Sequence, residues 1–295
     1  MAEIGFIGLG NMGLPMAANL VKAGNRVTGF DTVPAAIDKA KEAGVAIASS
    51  AAEAASGRDI VITMLPNGKI VLSVFAEIVP AAAPGTVIVD SSTIDVASAR
   101  KAHEMAADAG LLCLDAPVSG GVGGAEAGTL TFMVGGASEA LEKARLALDV
   151  MGGRVVHCGE GGAGQAAKMC NNMLLGISMI GACEAFALAE KLGLSQQALF
   201  DVVSTSSGSC WSVNTYCPVP GVGPKSPADN DYKPGFSAAL MLKDLGLSQQ
   251  AADEIGAATP MGAHAMAIYN AFVEAGNAGT DFSGIIRYLD QVKDR

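Results

Sequence analysis

The chain has 295 residues, enough for one large domain or two ordinary ones, and half of them are hydrophobic. With 37 glycines and 16% charged residues the composition is globular and small-residue-rich, which excludes a disordered chain. A formal net charge of −10, from 19 basic and 29 acidic residues with no Lys/Arg cluster, sets the surface against nucleic acid and anionic membranes as partners.

The opening "MAEIGFIGLG" carries Glu3 and no basic leader, so it reads as a strand and not as a signal peptide. Six further β-rich runs follow at 26–31, 59–65, 86–92, 111–118, 129–136 and 154–159. Several are near-continuous apolar runs, the pattern of strands covered on both faces of a parallel sheet. Helical stretches such as "NMGLPMAANLVKAG", "PAAIDKAKEAG" and "ASARKAHEMAADAG" lie between them, each closing on a glycine. This repetition predicts an α/β, Rossmann-type doubly wound domain over residues 1–163. From 164 to 295 the spacing turns helical, with a long linking helix from about 165 to 192, so an all-α C-terminal domain is expected. Residues 210–235, rich in proline, interrupt it as one irregular insert. The cysteines at 113, 158, 170, 183, 210 and 217 form no C-x-x-C pair and no zinc-like spacing with the histidines. Reduced thiols, a cytoplasmic setting and no metal are the expectation.

"IGFIGLGNMG" places Gly8, Gly10 and Gly13 in G-x-G-x-x-G register, directly after a strand and opening a helix, with Leu9, Asn11 and Met12 between them. Gly8 makes the tight turn, Gly10 lets backbone approach a pyrophosphate, and Gly13 lets helix pack on strand. Asp31, at the end of the second strand, would accept hydrogen bonds from ribose hydroxyls and repel a 2′-phosphate, and no arginine stands nearby. NAD is therefore expected over NADP; the competing reading is a glycine turn beside a capping aspartate. Later strand ends should line the same crevice. Leu65 and Pro66 in "MLPN" and Thr93 in "DSST" fall there, either as cofactor contacts or as ordinary strand-to-helix turns.

Ser119, Gly120 and Gly121 follow another strand. Consecutive glycines can turn successive N–H groups into one anion-binding concavity, which with the serine hydroxyl makes a carboxylate site; a glycine hairpin is the alternative. Lys168 is the one charge between Glu160 and Glu184. It admits three readings: a snorkelling surface lysine, an intrusion in a membrane segment, or a catalytic base. Only Met173–Cys183, eleven residues, are free of strongly polar groups, too few for the roughly 20 of a bilayer span, so the membrane reading is set aside. Asn172 sits four residues on and shares its helix face, so both could converge on one substrate oxygen. Desolvation and a bound NAD⁺ ring would favour the neutral amine, able to take an alcohol proton. Lys243, in "LMLKDLG", is either a solvated helix position or a second functional lysine.

G-L-G-x-M-G-x-x-M-A-x-N-L at 8–20, D-A-P-V-S-G-G at 115–121, E-A-G-T-L at 126–130, G-x-x-x-K-x-x-x-N at 164–172 and K-D-L-G-L at 243–247 together resemble the β-hydroxyacid dehydrogenase family. Within it, 206–221 and 235–247 look most like the branch that oxidises 3-hydroxyisobutyrate in valine catabolism. The resemblance implies oxidation of that acid to methylmalonate semialdehyde, with hydride passing to NAD. It implies Lys168 as proton-transferring residue, Asn172 as its orienting partner, and Ser119, Gly120 and Gly121 as carboxylate binders. Lys243 is implied near the nicotinamide, Leu65, Pro66 and Thr93 as NAD contacts, and the assembly as a homodimer or homotetramer. Glycerate, tartronate semialdehyde and L-serine mark sister activities; a non-catalytic nucleotide-binding module is the distant alternative.

Overall fold

The computed structural model describes residues 1–292. The seven expected runs all form strands, and two short strands join them. In chain order they are β1 (Glu3–Ile7), β2 (Arg26–Phe30), β3 (Ala46–Ile47), β4 (Ile60–Thr63), β5 (Val87–Asp90), β6 (Leu112–Asp115), β7 (Val118–Ser119), β8 (Leu130–Gly135) and β9 (Gly152–Gly159). They make one sheet in the order β3-β2-β1-β4-β5-β6-β8-β7, with β9 on the other edge of β8. The first six strands are mutually parallel and follow the Rossmann order, with a switch point beside β1.

The sheet departs from the expected parallel pattern at β8, which runs antiparallel to both β6 and β7. Between Ser119 and Leu130 the chain has room only for the seven-residue helix Gly121–Ala127, and a parallel crossover needs a dozen residues or more. Elsewhere the apolar runs serve two cores at once. Ile60, Ile62, Val87 and Val89 join Phe6, Met16 and Leu148 on one face. Val61 and Ile88, the residues between them, join Phe75 and Ile78 on the other. Each such burial stabilises by about 1.5–3 kcal/mol, so neither face tolerates a polar residue.

The chain divides into two compact units, Met1–Lys168 and Met169 onward. The second holds helices and one isolated bridge, Ser237 to Asp281, among the described residues. Its core joins Met179, Cys183, Met241, Leu245, Tyr269, Phe272 and Phe282. The insert at 210–235 has more structure than its composition predicts, with a helical turn at Trp211–Asn214 and a 3₁₀ turn at Pro227–Asn230. Its end is tied to the buried Asp281, whose carboxylate accepts from Tyr216 Oη and from the amides of Gly235 and Phe236.

The long helix runs Ala163–Lys191, and by length and composition alone its apolar window meets the requirement for a membrane crossing. The eleven-residue count from sequence understated it. Half of that window is nevertheless buried within the protein, as in the core helix of a globular fold.

Candidate active site

The glycine loop takes its shape from backbone crowding. Gly8 has φ +95°, and its amide donates to the Phe30 carbonyl at 2.9 Å, which ties the end of β1 to β2. A Cβ at Gly13 would overlap the Gly8 carbonyl oxygen, so the helix Gly13–Lys22 can start here only from glycine. Gly10, by contrast, has nothing within 4 Å of where a Cβ would stand. No side chain caps the helix start at Met12. Asp31 Oδ2 accepts from the Leu9 amide at 2.7 Å and Oδ1 from the Val33 amide at 2.8 Å. The carboxylate therefore braces the glycine loop and keeps lone pairs for ribose hydroxyls. Open space at Gly10, an uncapped helix N-terminus and this acceptor fit a dinucleotide.

At the ends of β4 and β5 the sequence-predicted Leu65 and Thr93 lie in turns tied together by residues that composition did not single out. The Leu65 amide donates to Ser92 Oγ at 2.8 Å, and Ser92 Oγ donates onward to Asp90 Oδ1. Thr63 Oγ1 donates to the same oxygen at 2.7 Å. Gln165, fully buried on the long helix, completes the clamp: its Oε1 accepts from the Ile94 amide at 3.1 Å and its Nε2 donates to the Ser92 carbonyl at 2.7 Å. Thr93 is thus flanked on both sides by bonds to one side chain.

Asp90 is buried, and its Oδ2 has no hydrogen-bond partner. Desolvation pushes its pKa up, the hydrogen bonds from Ser92 and Thr63 pull it down, and the Asp115 charge adds to the rise. A raised folded-state pKa gives stability that is complete below the ordinary carboxylate range and is lost as pH climbs through the folded value. Asp90→Asn removes that titration. The melting temperature of the variant minus that of the parent should rise as pH goes from about 4 to about 8. Thermal melts across that range check it, and a difference independent of pH would contradict it.

Lys168 does not snorkel: it is 6% exposed, and its Nζ donates to the Val118 carbonyl at 2.8 Å. Val118 directly precedes Ser119, so the structure brings the lysine head to the strand that carries the predicted carboxylate loop. Ser119 pairs with Thr131 across β7 and β8, while Gly120 and Gly121 take φ +128° and +61° as the chain turns into the helix Gly121–Ala127. The loop is therefore a strand-to-helix corner inside the connection between the antiparallel strands β7 and β8.

In the second unit Asn172 is buried and its amide is engaged: Nδ2 donates to Asp244 Oδ2, and Oδ1 accepts from Asn171 Nδ2 at 2.9 Å. Asp244 adjoins Lys243 on the helix Ala238–Ile255. Sequence reading passed over Asp244, Gln165, Asp90 and Asp115. A signal existed for the last two, since each is an acidic residue closing an otherwise apolar strand.

Two family models match the chain: the NAD-binding domain of 6-phosphogluconate dehydrogenase over residues 3–159, and the NAD-binding domain of NADP-dependent 3-hydroxyisobutyrate dehydrogenase over residues 162–289. A probable 3-hydroxyisobutyrate dehydrogenase of Mycobacterium tuberculosis is 55% identical over 98% of both chains. An NAD-dependent L-serine dehydrogenase of Pseudomonas aeruginosa is 48% identical over 98% of both. Among solved structures, M. tuberculosis 3-hydroxyisobutyrate dehydrogenase with L-serine superposes with a TM-score of 0.95 at 55% identity, over 98% of this chain and 99% of that one.

Proposed function

We propose that this chain, which belongs to the β-hydroxyacid dehydrogenase family, oxidises 3-hydroxyisobutyrate to methylmalonate semialdehyde in valine breakdown. As a member it is an NAD-dependent dehydrogenase of a small β-hydroxyacid. In this reading residues 1–163 carry the cofactor and 164–295 serve substrate selection and contacts within a homodimer or homotetramer in the cytoplasm.

The observation that carries the reading is the Lys168 head held at Val118, beside Ser119. An acid whose carboxylate rests on Ser119, Gly120 and Gly121 presents its β-hydroxyl within reach of that amine. The neutral amine takes the hydroxyl proton as the alcohol carbon loses hydride. Bound NAD⁺ supplies the hydride acceptor at its nicotinamide ring. Gly8, Leu9, Gly10, Asn11, Met12 and Gly13 cradle the pyrophosphate, Asp31 the ribose, and Leu65, Pro66 and Thr93 the adjoining surface. Asn172, one helical turn past Lys168, orients the substrate oxygen, and Lys243 is assigned to substrate and cofactor.

L-serine is the second reading, favoured by the L-serine in the solved relative and by the name of the P. aeruginosa relative. It places an ammonium, and glycerate a hydroxyl, where 3-hydroxyisobutyrate has a methyl group. A pocket shaped for the methyl desolvates those groups without pairing them. Steady-state kinetics with NAD should give kcat/KM for 3-hydroxyisobutyrate at least about tenfold above both competitors. A higher value for L-serine or glycerate would transfer the assignment to that acid.

A further inference from the structure

The backbone at the start of the long helix is held to the sheet by a buried carboxylate. Asp115, the last residue of β6, is 1% exposed. Its Oδ1 accepts from the Gly162 amide at 2.7 Å, and its Oδ2 from the Gln165 amide at 2.9 Å. Those are donors of the first turn of the helix Ala163–Lys191, whose amides have no partner within the helix. The negative charge also faces the positive end of the helix dipole. His103 Nε2 stands 2.9 Å from Oδ1, and because a carboxylate only accepts, the ring proton is fixed on Nε2. The contact is close by construction. A Cβ at Gly164 would overlap the Met133 carbonyl oxygen and crowd the Asp115 backbone, and one at Gly161 would press on the His103 ring.

Three residues past Asp115 along the same chain is Val118, whose carbonyl holds Lys168 Nζ. The helix that carries the lysine and the strand end that receives it are thus joined twice, at the helix start by Asp115 and one turn later by Lys168. We propose that Asp115, braced by His103, is a positioning residue that sets where the Lys168 amine stands for proton transfer. Asp115 does this by fixing the start of the helix, and it touches neither substrate nor cofactor. This rests on Lys168 being the proton-transferring group. Asn at 115 keeps the shape but accepts through one oxygen only, so its amide confronts one of the backbone donors and the first turn must shift.

The test is a set of double-mutant cycles read as kcat at saturating NAD, with the KM for NAD measured alongside. Asp115→Asn should lower kcat about tenfold or more, since displacements near 1 Å at a reacting group cost up to about a hundredfold. The KM for NAD should change less than kcat, because the shifted turn reaches the cofactor side only through Gln165 and the turn around Thr93, while the glycine loop and Asp31 stay in place. In a Lys168→Ala background the same substitution should cause no further loss. Losses that multiply, or parental kcat in Asp115→Asn, overturn the proposal. Should Asp115→Asn fail to fold, His103→Leu decides by the same logic. It removes one hydrogen bond from outside, with an expected loss of about 2- to 10-fold in the parent and none beside Lys168→Ala. If Lys168→Ala alone turns over like the parent, the functional reading fails, and the Asp115 cycle is not the cause.

Discussion

Lys168→Ala is expected to lower kcat by about 10²-fold or more while the affinity for NAD stays within about twofold. The lysine head is buried and anchored on the Val118 carbonyl, whereas the residues that fit the dinucleotide, from Gly8 to Asp31, are bonded to one another. Removing the amine therefore deletes the proton acceptor without loosening the glycine loop. Two companions separate proton transfer from charge and from packing. Lys168→Met keeps the apolar stem and should be as inactive as alanine. Lys168→Arg keeps the positive charge, but a guanidinium does not give up its proton near neutral pH, so it should fail as well. Turnover near the parental rate in the arginine variant would show that the group acts by charge alone. Isothermal titration with NAD⁺ and initial rates with 3-hydroxyisobutyrate measure both halves of the expectation.

What could be read in advance follows from which interactions are local. Strand runs such as "DIVITML" were legible because alternate residues, Val61 against Ile60 and Ile62, must satisfy two separate cores, which leaves no polar position to blur the pattern. The glycine fingerprint was legible for the same reason: Gly8 and Gly13 answer to each other across five residues. The antiparallel turn of β8 was not, because it depends on how little chain separates Ser119 from Leu130 and not on any residue's preference. Nor was the work of Gln165, whose two bonds reach back more than seventy positions to Ser92 and Ile94. An isolated glutamine near a helix start carries no mark of its partners. Lys168 lay between these cases. Its oddity among apolar residues was visible, but only the fold could show its head buried against a carbonyl beside Ser119 instead of turned to water. The order within 210–235 is not legible in composition, which reports proline content and not the distant Asp281 that gathers that segment's hydroxyl and amide donors.

Gly13→Ala and Gly10→Ala should fail in opposite ways, and the contrast separates folding from cofactor binding within one motif. At Gly13 the added methyl overlaps the Gly8 carbonyl, which is backbone and cannot rotate aside. The helix Gly13–Lys22 must then lift from the sheet, although Met16, Ala17 and Leu20 are fully buried on it. Overpacking of this kind costs about 1–3 kcal/mol of stability, so the melting temperature should fall. Because the lifted helix carries the phosphate-facing N-terminus with it, kcat/KM for NAD should fall by about 10²-fold too. At Gly10 the methyl enters open space, at a backbone angle any residue adopts, so the melting temperature of the free protein should stay near that of the parent. The space it fills is the one a pyrophosphate needs, and NAD binding should weaken by at least about tenfold, the loss of a single close approach. Differential scanning fluorimetry with and without NAD reads both effects in one plate: Gly13→Ala melts early in either condition, while Gly10→Ala melts normally but gains little from the nucleotide. A Gly10→Ala protein stabilised by NAD as strongly as the parent would remove the pyrophosphate from this loop, and with it the placement of the cofactor on which the role of Lys168 depends.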